Sequence, residues 1–73
     1  MLTGDKTIAK RGLRACQQFA SATGRDIDED QGVIMQDLVV SVLHLCDQEG
    51  CDPAAFVHKA LKKFYDTLVE ETD

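Results

Sequence analysis

Residues 38–46 read LVVSVLHLC, an almost uninterrupted apolar stretch in the middle of the chain. Its β-branched residues would also suit a buried strand. The polar positions decide between the two structures, because Asp37, Ser41, His44 and Gln48 follow one another at helical spacing. A half-buried strand would instead alternate polar and apolar residues with a period of two. The stretch therefore predicts a helix at the centre of an all-α fold.

Capping signals mark both ends of this central helix. Asp28 and Gln31 have the spacing of a capping box, in which the Asp28 carboxylate accepts from the backbone N–H of Gln31. Gly50 suits the left-handed position that follows a helix end. These signals predict a helix over about 29–49.

The first helix is predicted in the same way. Asp5 is its expected N-cap and Gly24 its expected C′ residue, which places the helix over about 5–23. Gly12 lowers helix propensity in the middle of this segment, which suggests a close crossing with a neighbouring helix.

The third helix opens with Asp52 as the cap and Pro53 at the first helical position, and it is predicted over about 53–70. The connections between the three helices are short, and short connections favour antiparallel neighbours. The sequence therefore predicts a single domain over residues 1–73, folded as a compact antiparallel three-helix bundle.

Two apolar helix faces are expected to form the core of this bundle. On the second helix the face consists of Ile34, Met35, Leu38, Val39, Val42, Leu45 and Cys46, and on the third of Val57, Ala60, Leu61, Phe64 and Leu68.

The chain has 73 residues and a formal net charge of −5, which is unevenly distributed. Residues 1–25 contain five basic residues and one acidic residue, whereas residues 26–52 contain eight acidic residues and no basic one. The length excludes Rossmann and barrel enzymes. No apolar run approaches the roughly 18 residues of a spanning helix. The three cysteines cannot all pair within one chain, so we expect free thiols and a cytoplasmic location.

The polar stripe of the second helix resembles a catalytic triad only superficially. Ser41 stands between Asp37 and His44, whereas the mechanism requires the histidine in the middle, so we predict that the chain is not an enzyme. Asp26, Asp28 and Asp30 alternate as in a calcium loop, but the glycine that the sharp turn requires is absent. The histidines and cysteines also lack the paired spacing of a zinc site. We expect no metal and no cofactor.

Four basic residues of the first helix, Lys6, Lys10, Arg11 and Arg14, are candidates for a partner-binding surface. Such residues can bind phosphates, but nucleic-acid-binding domains are usually basic overall, and this chain is acidic. A nucleic-acid-associated regulator is therefore the alternative hypothesis.

Val40 and Leu43 extend the apolar side of the second helix towards its polar stripe. A helix that is apolar nearly all round is normally buried. These two residues are either ordinary exposed apolar residues or part of an interface with a homodimer partner or another protein.

Residues 34–66 resemble a set of small bacterial proteins of uncharacterised activity. The shared pattern begins at Asp37, where this chain reads DLVVSVLHLCDQEGCD and the family core reads D-L-L-x-D-L-x-H-L-C-D-x-x-G-x-D-F; Ala60 and Phe64–Tyr65 match the helix that follows. The chain departs from this pattern at Ser41, an Asp in the family, and at Pro53, an aromatic residue in the family. The resemblance implies a helical cytoplasmic protein of bacterial, phage or plasmid origin, and it implies no activity.

Together these observations predict a small non-enzymatic module for protein–protein interaction or regulation, whose partner is another protein or a second copy of the chain. Binding to a nucleic acid is the second hypothesis, binding of a metal is the third, and no association with a membrane is expected.

Overall fold

The computed structural model describes residues 1–70, and residues 71–73 of the predicted domain lie outside the described part. The elements in chain order are strand β1 (Leu2–Thr3), helix α1 (Lys6–Ala22), helix α2 (Gln31–Gln48), helix α3 (Pro53–Asp66) and strand β2 (Val69–Glu70). The prediction of an all-α three-helix bundle is confirmed, with α2 in contact with both α1 and α3.

Two of the three predicted helix starts are confirmed by their caps. The Asp5 carboxylate accepts a hydrogen bond from the Ile8 N–H at 2.9 Å, and the Asp52 carboxylate accepts one from the Ala54 N–H at 3.2 Å. These bonds satisfy backbone donors that have no partner within the helix.

The predicted capping box of α2 is wrong. The helix begins at Gln31, its N-cap is Asp30, and the Asp30 side chain makes no capping hydrogen bond. The Asp26 carboxylate instead accepts from the Asp28 N–H at 2.9 Å. An aspartate that bonds to the backbone two residues ahead stabilises a turn, and this turn delays the start of the helix.

The ends of α1 and α2 have the predicted glycine signal. Gly24 has a φ of 70° and Gly50 a φ of 78°, both in the left-handed region that glycine adopts without steric cost. At each end the N–H of the following residue donates to the carbonyl five positions back, from Arg25 to Ala20 and from Cys51 to Cys46, both at 2.8 Å. This bond pattern is that of a Schellman motif.

The third helix ends at Asp66, four residues earlier than predicted. Thr67 closes it, since its hydroxyl donates to the Phe64 carbonyl at 2.9 Å. The chain then forms β2, which pairs antiparallel with β1, so that Leu2 lies opposite Glu70. The two-residue strands were not predicted, because segments this short have no periodicity of their own and form only through pairing with each other.

The arrangement of the helices is flat, with extents of 40 × 32 × 15 Å. Within residues 1–70, no Cα atom of α1 lies within 8 Å of one in α3, so α2 is the central element. The best-packed region is the α1–α2 contact, where Cys16, Ala20 and Ile34 are buried. Phe19, Ile27 and Leu38 are partly buried around these three residues.

Candidate functional site

The protein exposes more surface than its mass predicts. Its accessible surface is 6079 Å², whereas a folded monomer of 8.1 kDa is expected to expose about 4,500 Å². Its radius of gyration is 14.1 Å, against about 11 Å for a globular chain of this length. The excess indicates that the helices cover less of one another's surface than is usual in a globular chain of this length.

Few of the predicted core residues are buried. Among the described residues only Cys16, Ala20, Ile34 and Cys46 belong to the buried core, and α3 contributes none. The prediction that the apolar faces of α2 and α3 are core faces is therefore wrong for most of their residues. The physical reason is that α1 and α3 lie too far apart to cover the side of α2 between them. Ile8 of α1 and Phe64 of α3 line one small cavity, but no Cα atom of α1 lies within 8 Å of one in α3 within residues 1–70.

A wide groove with a volume of about 750 Å³ lies uncovered between α2 and α3. A second groove of about 400 Å³ lies between α1 and α2. Both are lined by Met35, Leu38 and Val39, so these α2 residues connect the two grooves into one continuous surface. We call this surface the open apolar face and define it by Leu13, Met35, Leu38, Val39, Val42, Phe56, Leu61 and Phe64.

The central residues of the open apolar face are about half exposed, unlike the residues of a packed core. Met35 is 49% exposed and Val39 51% on α2, and Leu61 is 49% and Phe64 48% exposed on α3. Single exposed apolar residues are ordinary in proteins. A contiguous set from three helices is typical of a surface that binds another protein.

Gly12 lines the groove between α1 and α2 and has no close neighbour. A Cβ atom built on this residue would meet no other atom within 4 Å. The predicted close helix crossing at Gly12 is therefore wrong, and the residue instead widens the groove.

The predicted interface residues Val40 and Leu43 lie elsewhere on α2. Val40 is 49% exposed, and Leu43 is half-buried. Together with His44, Asp47 and Pro53 they line a separate shallow depression of about 370 Å³. Val40 also lines a depression of about 410 Å³ together with Met35 and Val39, so it borders the open apolar face. The role of Val40 and Leu43 as an interface stays a prediction.

The four predicted basic residues of α1 are all exposed: Lys6, Lys10, Arg11 and Arg14. Within residues 1–70 none of them forms an ion pair. Lys10 stands three residues before Leu13, so the two side chains are neighbours on the helix surface. Lys10 thus lies at an edge of the open apolar face, where a polar rim is found in protein interfaces.

The polar stripe of α2 has a structural explanation at its N-terminal end. The Arg25 guanidinium forms an ion pair with the Asp37 carboxylate, which ties the α1–α2 connection to α2. The Ser41 hydroxyl donates to the Asp37 backbone carbonyl at 3.0 Å. The Asp37 carboxylate and the Ser41 hydroxyl therefore both make structural contacts within the chain.

The described part of the chain contains neither a cluster of metal ligands nor a membrane-spanning helix. No three side chains of His, Cys, Asp or Glu among residues 1–70 come together in a way that could hold a metal ion. None of the helices described is both long and apolar enough to cross a membrane.

Six of the eight residues that define the open apolar face were predicted from the sequence as core residues, whereas Leu13 and Phe56 were missed. One signal in the sequence could have identified this face as exposed: three short helices carry more apolar surface than one or two helix–helix contacts can bury. Each helix of a three-helix protein can bury its full apolar face only if all three helices pack together.

No protein-family model, curated protein or solved structure matches this chain.

Proposed function

We propose that this chain is a small non-enzymatic protein–protein interaction module that binds its partner on the open apolar face. The observation that carries the proposal is the half-exposed state of Met35, Val39, Leu61 and Phe64 in one continuous surface. A helical partner fits best, because a groove between two helices accepts the apolar face of a third. The surface has an apolar centre with the exposed Lys10 at its edge, and an apolar centre with a polar rim is the usual anatomy of a protein interface.

Site-specific photo-crosslinking tests the proposal. We expect p-benzoylphenylalanine in place of Phe64, which lines the groove, to crosslink to protein in cells. The matched control carries the same group in place of Tyr65, the next residue, which is 64% exposed and lies outside both grooves. Equal yields at the two positions, or no protein product at Phe64, would contradict the proposal.

A second candidate is a nucleic-acid-associated regulator that uses Lys6, Lys10, Arg11 and Arg14. It is supported by the exposure of all four side chains and by their lack of ion pairs within residues 1–70. It predicts DNA or RNA binding that weakens steeply with salt, because phosphate contacts release counterions. The double substitution Lys10→Glu and Arg14→Glu should abolish this binding, and the absence of binding by the unsubstituted protein at low salt excludes this function.

We also propose a cytoplasmic location, supported by three free thiols, of which Cys51 is exposed. Alkylation of intact cells and of lysates checks it: Cys51 should be labelled by a membrane-permeant reagent and protected from an impermeant one until lysis.

A further inference from the structure

We propose that the partner on the open apolar face is a second copy of this chain, which gives a two-fold symmetric homodimer. This inference rests on the proposed function and specifies the partner of the same surface. Three properties of the molecule support it: the surface area in excess, the shape of the face and the distribution of charge.

The area in excess matches the requirement of a homodimer. The chain exposes 6079 Å², which is about 1,600 Å² more than expected for a monomer of its mass. A standard interface takes about 800 Å² from each partner, and obligate homodimers bury 2,000–5,000 Å² in total. Covering the excess on two chains would bury about 3,000 Å², which lies within the range of obligate homodimers.

The shape of the face suits pairing with itself. Met35 and Val39 lie between the two grooves and line both of them, so the face presents an apolar ridge beside an apolar groove. A two-fold axis requires a surface that is complementary to itself, since each contact is made twice. With this shape, the ridge of each copy can enter the groove of the other.

The charge distribution also favours a second copy. Residues 1–25 have a net positive charge, and residues 26–52 contain eight acidic residues and no basic one. The basic side chains of α1 have no ion-pair partner in their own chain within residues 1–70. A second copy supplies an acidic segment for each basic helix, which offsets the repulsion between two chains of net charge −5.

Sedimentation and light scattering test the homodimer on the unsubstituted chain and on three variants, all under reducing conditions because Cys51 is exposed. We expect a mass of twice 8.1 kDa at micromolar concentration and a melting temperature that rises with protein concentration. Val39→Glu should shift the mass to that of the monomer and raise the dissociation constant by at least 100-fold.

Two further valines serve as comparisons for Val39. Val33, 40% exposed on the same helix, lines neither groove, so Val33→Glu should leave the dimer intact. Val40 lies at the border of the face, because it lines one depression with Met35 and Val39 and another with Leu43. Val40→Glu should therefore weaken the dimer less than Val39→Glu, and a larger effect at Val40 than at Val39 would overturn the proposed interface. If Val39→Glu unfolds the chain, the concentration dependence of the unsubstituted protein decides the question without a variant.

The sedimentation and crosslinking results together show whether the homodimer alone fails or the proposed interaction module fails as well. A monomer of 8.1 kDa up to 100-fold above micromolar concentration, with a constant melting temperature, overturns the homodimer. If p-benzoylphenylalanine at Phe64 then crosslinks to a different protein, the interaction module stands with another partner. If it crosslinks to no protein, both proposals fail.

Discussion

Truncation of Ile34 to alanine should destabilise the protein more than truncation of any other α2 residue. Ile34 is 0% exposed and lies in the cluster with Cys16 and Ala20. Removal of about three buried carbon groups at roughly 0.8 kcal/mol each, together with the cavity that remains, gives a loss of about 3–4 kcal/mol. A chain of this length has a total stability of about 4–11 kcal/mol, and the small core places it near the lower end.

Leu45→Ala is the matched control for Ile34→Ala. The sequence places both residues on the same predicted core face of α2, but Leu45 is 57% exposed and lines neither groove. Its truncation should cost less than about 1 kcal/mol, because surface substitutions rarely cost more. Ile34→Val provides a graded intermediate with an expected loss of about 0.5–1.5 kcal/mol.

Urea denaturation followed by circular dichroism at one fixed protein concentration measures all three variants. The fixed concentration is necessary because self-association would add to the apparent stability. In a thermal melt at the same protein concentration, Ile34→Ala should lower the melting temperature by roughly 15–30 °C. Equal losses for Ile34→Ala and Leu45→Ala would refute the reasoning, because they would show that the two positions are equally buried.

Three further predictions concern the helix ends, the groove and the ion pair. Gly50→Ala should cost about 1–2 kcal/mol in urea denaturation, because Gly50 has a φ of 78°. Gly12→Ala should instead stabilise the protein by about 0.5–1 kcal/mol, because a Cβ atom there meets open space; a loss of stability would mean that this position is packed. A double-mutant cycle on Arg25 and Asp37 should give a coupling of at most about 1 kcal/mol that weakens with salt, because both side chains are more than a third exposed; a larger, salt-independent coupling would contradict this.

The helices were predictable from the sequence because the signals that define them are local. Helical spacing of the polar positions identified α2 despite its β-branched residues. Asp5 and Asp52 cap their helices through side chains two or three residues from the backbone groups they satisfy. The capping box at Asp28 failed because a competing local bond to Asp26 was equally available to the sequence.

The exposed state of the apolar faces could not be predicted in the same way. Periodicity shows that Phe64 and Val39 lie on the apolar sides of their helices, and the structure agrees with that placement. Periodicity does not show whether another helix covers the apolar side of a given helix. The same limit applies to β1 and β2, which exist only because the two strands meet across almost the whole chain.

The sequence by itself determined the number of helices, most of their boundaries and the segregation of charge, since all of these depend on residues within a few positions of one another. Only the tertiary structure decided which apolar residues are buried, because burial depends on how distant helices pack. In this protein α2 packs closely against both neighbours, whereas α1 and α3 only approach each other around a small cavity lined by Ile8 and Phe64. That packing leaves most of a predicted core as an open apolar face.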